Sequence, residues 1–257
     1  MSQAPDNNNS ATFWDHLEVF RSSLLRILLA SVGMGMIAFC FREALFEVVL
    51  APATNDFFVY RLLRLPPFEL HLINTDLTEQ MFVHMKMAFA VGLLVASPYL
   101  LYVAFRFVSP ALYPAERTHA VRLTLAAYTM FMIGIAANYL LFFPLIVRFL
   151  GTYQVSERVT AMLTLQSYTD TLLLMSFMFG IIAEMPVLVG FLTRLGLLHS
   201  RWLSQYRKQA FVLILIVSAV ITPTGDAFTL LVVSLPIWLL YEVSIWVSRK
   251  IAPQPTQ

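Results

Sequence analysis

Six apolar runs decide what this chain can fold into. They lie at about 22–41, 81–105, 121–143, 165–193, 209–222 and 227–247. A helix needs roughly 20 apolar residues to cross about 30 Å of hydrocarbon, and the first three runs have that length. The fourth is longer and contains Pro186, which removes a helix hydrogen bond and predicts a kink. The fifth, at about 14 residues, reaches only ~21 Å as a helix. The sixth offers about 15 apolar residues before Glu242. Both read as short spans, which thin the bilayer or pack against a partner. Porin-type strands would alternate polar and apolar over about ten residues, whereas these runs are apolar on every face. The expected fold is therefore an all-α membrane protein.

Composition agrees. The chain is 59% hydrophobic and only 12% charged, against roughly a quarter charged in soluble domains. Its mean hydropathy is +0.73. Lys and Arg placement sets orientation. With the N-terminus inside, eleven of the 17 basic residues fall on inside segments, among them Arg21, Arg117, Arg122, Arg201 and Lys250. Both termini are thus expected on the cytoplasmic side. The start, "MSQAPDNNNSATFW", lacks a basic n-region, so the first run is expected to persist as a span. The expected organisation is a polar tail at 1–14, one six-helix transmembrane domain at 15–250 and a short tail at 251–257. The single Cys40 allows no intrachain disulfide. No GK pair, GxGxxG, HExxH or GxSxG occurs. Neither nucleotide-driven nor hydrolytic chemistry has a visible seat, so no enzyme, cofactor, metal or nucleic-acid partner is expected.

Several polar residues interrupt this pattern. "TFWDHLEVFRSSLLR" at 12–26 opens with Thr12 and Asp15 at capping-box spacing, and Arg21 stands three residues after Glu18. It reads either as an interfacial helix with solvated charges or as a carboxylate held at the membrane surface for a cationic ligand. "FRFVSPALYPAER" at 105–117 carries Pro110 and Pro114, then Glu116. Glu116 either complements the positive end of the next helix, or is aimed by the prolines. In the second case Phe105, Phe107 and Tyr113 form an aromatic wall beside it, a setting that holds a guanidinium. Glu184, in "IIAEMPVL", is an ionisable group within a span. It is a functional candidate by position or part of the kink beside Pro186. Asp170 reads as interfacial, Glu79 and Lys86 as the outer end of the second span, and "TPTGD" at 222–226 as a tight turn.

In order and spacing these markers resemble the TatC family, the large polytopic subunit of the twin-arginine protein translocase, over roughly residues 12–250. The resemblance rests on "FWDHLEVFR", "LAP" at 50–52, Thr78, Glu79, Phe82 and Lys86, and "FVSPALYPAER" at 107–117. It continues through "FFP" at 142–144, "AEMP" at 183–186, "TPTGD" and "YE" at 241–242. It implies six transmembrane helices in a concave, glove-like bundle with both termini cytoplasmic, in the bacterial inner membrane. It implies a receptor that binds twin-arginine signal peptides of folded precursors and recruits TatA/TatB-type single-span subunits, in a hetero-oligomer with multiple copies driven by the proton-motive force. The signal-peptide site it implies comprises Glu116, Glu18, Phe107, Arg21 and Tyr113. Glu184 matches the family's intramembrane glutamate, Pro52 and Asp226 match functional outer-face positions, and spans 209–222 and 227–247 are the expected partner-helix docking region. One position departs from the family's HLxELR pattern. Here the residues are His16-Leu17-Glu18-Val19-Phe20-Arg21, which puts the acid one place earlier, about 100° around a helix. The competing reading is an ion- or proton-coupled secondary transporter using Glu184, but no inverted repeat or pair of Gly-broken helices is visible.

Overall fold

The computed structural model describes residues 13–68, 70–108, 117–153, 162–222 and 226–251. Helix α1 (Phe13–Cys40) is followed by a shorter α2 (Arg42–Leu50), a 3₁₀ turn at Ala51–Ala53, α3 (Phe58–Leu62) and the two-residue strand β1 (Leu72–Ile73). Helix α4 (Glu79–Val108) and α5 (Arg117–Ala137) come next. A π-helical turn at Asn138–Phe142 joins α5 to α6 (Phe143–Thr152). Strand β2 (Leu163–Thr164) leads into α7 (Leu165–Ala183), α8 (Met185–Arg194), α9 (Ser200–Gln205), α10 (Arg207–Ile221) and α11 (Ala227–Ile251).

Among the described residues, five segments are long and apolar enough to cross a membrane: Arg21–Cys40, Glu79–Ala104, Val121–Thr152, Leu165–Arg194 and Ala227–Ile251. Large apolar side chains such as Leu29, Met36 and Val220 point outward, as a bilayer solvent allows. The fourth run breaks where Pro186 predicts, at Glu184 between α7 and α8, with Pro186 in the first turn of α8. Helix α10 is short, as expected, at 15 residues or ~22 Å. The last helix is not. α11 runs 25 residues and passes Glu242 without a break. Glutamate is a good helix former, and its carboxylate meets the Arg207 guanidinium of α10 at 2.7 Å.

Antiparallel pairing orders the bundle. Helices α1 and α4 cross so closely that a Cβ on Gly92 would clash with the Ser31 carbonyl oxygen and lie 2.6 Å from the Gly35 nitrogen. Small residues on both helices make this backbone contact possible, the usual device where lipid supplies no hydrophobic drive. One end of the same seam is a stack of Phe39 on His84, ring centroids 3.9 Å apart. Helix α5 meets α7 in the same manner, since a Cβ on Gly134 would lie 2.5 Å from the Phe179 carbonyl oxygen. At the end of the bundle carrying residues 42–78, the connections fold into a cap. Strands β1 and β2 pair in parallel, Leu72 with Leu163 and Ile73 with Thr164. Phe57, Val59, Tyr60 and Phe68 form a small core of their own there.

Candidate functional site

Of the sequence-derived signal-site residues, Glu18, Arg21 and Phe107 belong to helix ends opposite the cap. Phe39 faces His84 and Ser31 faces Gly92, and this antiparallel register continues along two unbroken helices. It puts the start of α1, which carries Glu18, at the same end of the bundle as the last turn of α4, which carries Phe107. Arg21, one turn further into α1, is exposed. Helix α5 begins at Arg117, immediately after the 109–116 connection. Tyr113 and Glu116 lie outside the described residues.

Within the spans, Glu184 is 6% exposed, and neither carboxylate oxygen has a hydrogen-bond partner among the described residues. Its backbone holds the break: its N–H donates to Ile181 O at 3.1 Å, and its carbonyl accepts from Leu188 N at 2.9 Å. Asn138, fully buried at the start of the π turn, donates from Nδ2 to Ser176 Oγ at 2.9 Å and so ties α5 to α7. Lys86 pairs with Asp170 at 2.8 Å, which joins α4 to α7. Sequence reading treated these two charges as separate interfacial groups; 84 residues of chain hide the pairing.

At the cap end, the LAP turn is held by three tyrosines. Tyr139 donates to Val48 O at 2.6 Å, Tyr168 to Val49 O at 2.9 Å, and Tyr60 to Pro52 O at 2.8 Å. The last carbonyls of a helix lose their regular partners; the Ala51 N–H still reaches Val48 O, and the phenols add bonds from three other elements. The Tyr60 hydroxyl also lies 3.0 Å from Pro144 O, so its one hydrogen is shared between the LAP and FFP motifs. Burial pushes the Tyr60 phenol above its ordinary range, with the Arg148 guanidinium partly opposing. Arg148 itself stands over Phe68 and Tyr60, 5.2 and 5.8 Å from their ring centroids. Pro52 is buried, and its place is structural as well as sequential. Asp226 caps α11, accepting the Thr229 N–H at 2.8 Å and the Thr229 hydroxyl. Sequence analysis missed the tyrosines. The signal was available in principle, since a buried phenol must find an acceptor, but not which acceptor.

Glu79 was also underestimated as a marker of the membrane edge. It is 2% exposed. Oε2 accepts Thr75 N at 2.7 Å, Thr75 Oγ1 at 3.1 Å and Asp76 N at 3.3 Å, while Oε1 accepts Gln166 N at 2.7 Å. One carboxylate therefore pins the 74–78 connection, the start of α4 and the start of α7.

Apolar spans, a cap folded from their connections and isolated polar ties between them define a polytopic helical membrane protein. Comparison with known proteins names the kind. The sequence matches the family described as Sec-independent protein translocase protein (TatC) over residues 15–236. It is 35% identical to the TatC of Deinococcus radiodurans, covering 97% of this chain and 90% of that one. It is 30% identical to TatCy of Bacillus subtilis, covering 94% and 90%. A solved structure described as the twin arginine translocase receptor TatC superposes with a TM-score of 0.76 at 30% identity, covering 92% of this chain and 99% of that one. The chain belongs to the TatC family. It is a component of the twin-arginine protein translocase, a transport system and not an enzyme.

Proposed function

We propose that this chain is the receptor and core subunit of its translocase, in the inner membrane with both termini cytoplasmic. It binds the paired arginines of signal peptides on folded precursors and recruits TatA/TatB-type single-span subunits. The observation that supports this reading is the antiparallel α1–α4 pairing, which brings the start of α1 and the end of α4 to the same side of the bundle. Glu116 and Glu18 supply carboxylates for two guanidinium groups, and Phe107 and Tyr113 supply aromatic faces for stacking. Arg21, three residues after Glu18 on α1, lies at the same end. The same end carries Arg194, Arg201, Arg207, Lys208, Arg249 and Lys250 on α8 to α11, in keeping with the positive-inside rule. Helix α10 packs mainly against α11 and leaves Phe211, Val212, Leu213, Ile216 and Val220 outward. That apolar ridge and the α10–α11 pair are the docking region for a partner span. Glu184 serves as the intramembrane polar contact.

Photo-crosslinking tests the reading directly. Probes at positions 18, 107, 113 and 116 should capture a radiolabelled twin-arginine precursor, and lysine in place of both signal arginines should abolish the adducts. Leu77, 99% exposed at the cap end, is the control. Capture there and not at 107–116 would overturn the assignment.

A further inference from the structure

Two clefts lie in line along the same faces of α4 and α7. The first, at the cap end, has a volume of about 680 Å³ and is lined by Arg42, Glu43, Phe46, Gln80 and His84 among others. The second, of about 280 Å³, lies deeper in the span and is almost wholly apolar, with Met87, Val91, Leu94, Phe131 and Leu172 in its wall. Residues 84, 87, 91 and 94 are spaced three, four and three apart, so they form one stripe of α4 about 15 Å long. Leu165 lines the first cleft and Leu172 and Ser176 the second, which makes a matching stripe on α7. A polar cleft and an apolar one thus follow each other along the same stripes of α4 and α7, the apolar one nearer the middle of the span.

The polar cleft carries both signs of charge. Arg42 and Glu43 begin α2, and both are exposed. Neither is paired with another described residue. His84 is more than nine-tenths buried against Phe39, and its Nε2 has no hydrogen-bond partner among the described residues. The His84 ring lines the cleft, with Nε2 itself shielded from it. The ligand that fits such a site has an anionic group for Arg42, a cationic N–H group for Glu43 and a long apolar chain for the apolar cleft below.

We propose that the α2–α4–α7 groove binds one phosphatidylethanolamine molecule, with its phosphate on Arg42, its ammonium on Glu43 and an acyl chain along Met87, Val91 and Leu94. Phosphatidylglycerol offers the phosphate without the ammonium. It meets a Glu43 that repels it, since like charges in contact disfavour binding.

Native mass spectrometry of the full chain, released from detergent micelles holding equal amounts of phosphatidylethanolamine and phosphatidylglycerol, reads this out. One retained phosphatidylethanolamine is expected, favoured at least about fivefold over phosphatidylglycerol, as loss of a charged contact implies. Arg42→Gln should lower retention of both lipids. Glu43→Gln should abolish the preference without lowering phosphatidylglycerol retention. Leu94→Trp, which fills the apolar cleft without touching the polar one, should lower retention of both. These positions lie far from the proposed signal site, so precursor crosslinking from 107–116 should continue in the Arg42 and Glu43 variants. Retention unchanged in Arg42→Gln and Leu94→Trp would overturn the proposal. So would a preference for phosphatidylglycerol in the unmodified chain, or a lipid-free dimer in which a second copy covers the groove.

Discussion

The Glu79 carboxylate accepts the backbone N–H of Gln166 at 2.7 Å, across 87 residues of sequence. The first turn of α4 and the first turn of α7 are fastened through a side chain, not by packing alone. Glu79→Gln keeps the shape but leaves one acceptor oxygen for donors on both sides. An unsatisfied buried group costs about 1–3 kcal/mol. The variant should lose that much stability in thermal unfolding of the purified protein, and Glu79→Ala should lose more. An unchanged midpoint in both variants would show the bonds to be incidental.

Glycine substitutions separate contact from propensity. Gly92→Ala drives a methyl into the Ser31 carbonyl and forces α1 and α4 apart. Overpacking of this kind costs about 1–3 kcal/mol. Gly33, two residues before Gly35 on α1, has nothing within 4 Å of its Cβ position. Gly33→Ala should therefore be neutral or stabilise by up to about 1 kcal/mol through helix propensity. Equal midpoints for the two variants would refute the close crossing.

Tyr60 gives a pH signature. Burial raises its folded-state pKa above the unfolded value, which is about 10. The native state then holds the proton longer than the unfolded state, so stability falls as pH rises above about 10 and is fully present below it. Denaturation followed from pH 8 upward should show this loss in the unmodified chain. Tyr60→Phe should lack that component. It should also be less stable at pH 8 by about 1 kcal/mol, through loss of the bonds to Pro52 and Pro144.

Glu184 separates stability from transport. With no partner for either oxygen among the described residues, replacement by leucine strands no donor and removes a buried polar group. Glu184→Leu should therefore unfold at the same temperature or higher, while export falls, the usual trade at a functional polar site. Glu184→Gln should keep more export than Glu184→Leu. Full export in Glu184→Leu would return the residue to a purely structural role at the α7–α8 break.

The proposed signal site is tested by affinity. A bond to a charged group contributes about 1.5–3 kcal/mol, so Glu116→Gln should weaken precursor binding at least about tenfold without lowering the unfolding midpoint. Glu18→Gln should do the same, as a second carboxylate seat requires. A change under about 1 kcal/mol would mark Glu18 as a solvated helix charge. Binding measured in nanodiscs decides both.

Hydropathy made the spans legible because each long run buries or exposes apolar surface on all faces, and Pro186 announced its break because proline chemistry is local. The short α10 was legible for the same reason. The full length of α11 was not, since a bare count of apolar residues stops at Glu242, whereas glutamate continues a helix and here also meets Arg207. The tyrosine clamps, the Lys86–Asp170 pair and the Glu79–Gln166 bond were invisible because each depends on which helices become neighbours. Of the signal site, sequence supplied residue types and the fold put the start of α1 and the end of α4 on the same side of the bundle.

The glycine crossing has a mechanical consequence. Where Ser31 and Gly35 press against Gly92, the two backbones have no further room to approach and no side chains to slide over. Helices joined so tightly at one level change their angle more readily than their spacing. The crossing is a pivot placed between the two ends of the molecule. Thirteen residues, or about 20 Å of helix, separate Ser31 from Glu18. A small tilt at the cap end is therefore returned at the far end as a sideways displacement in the opposite direction.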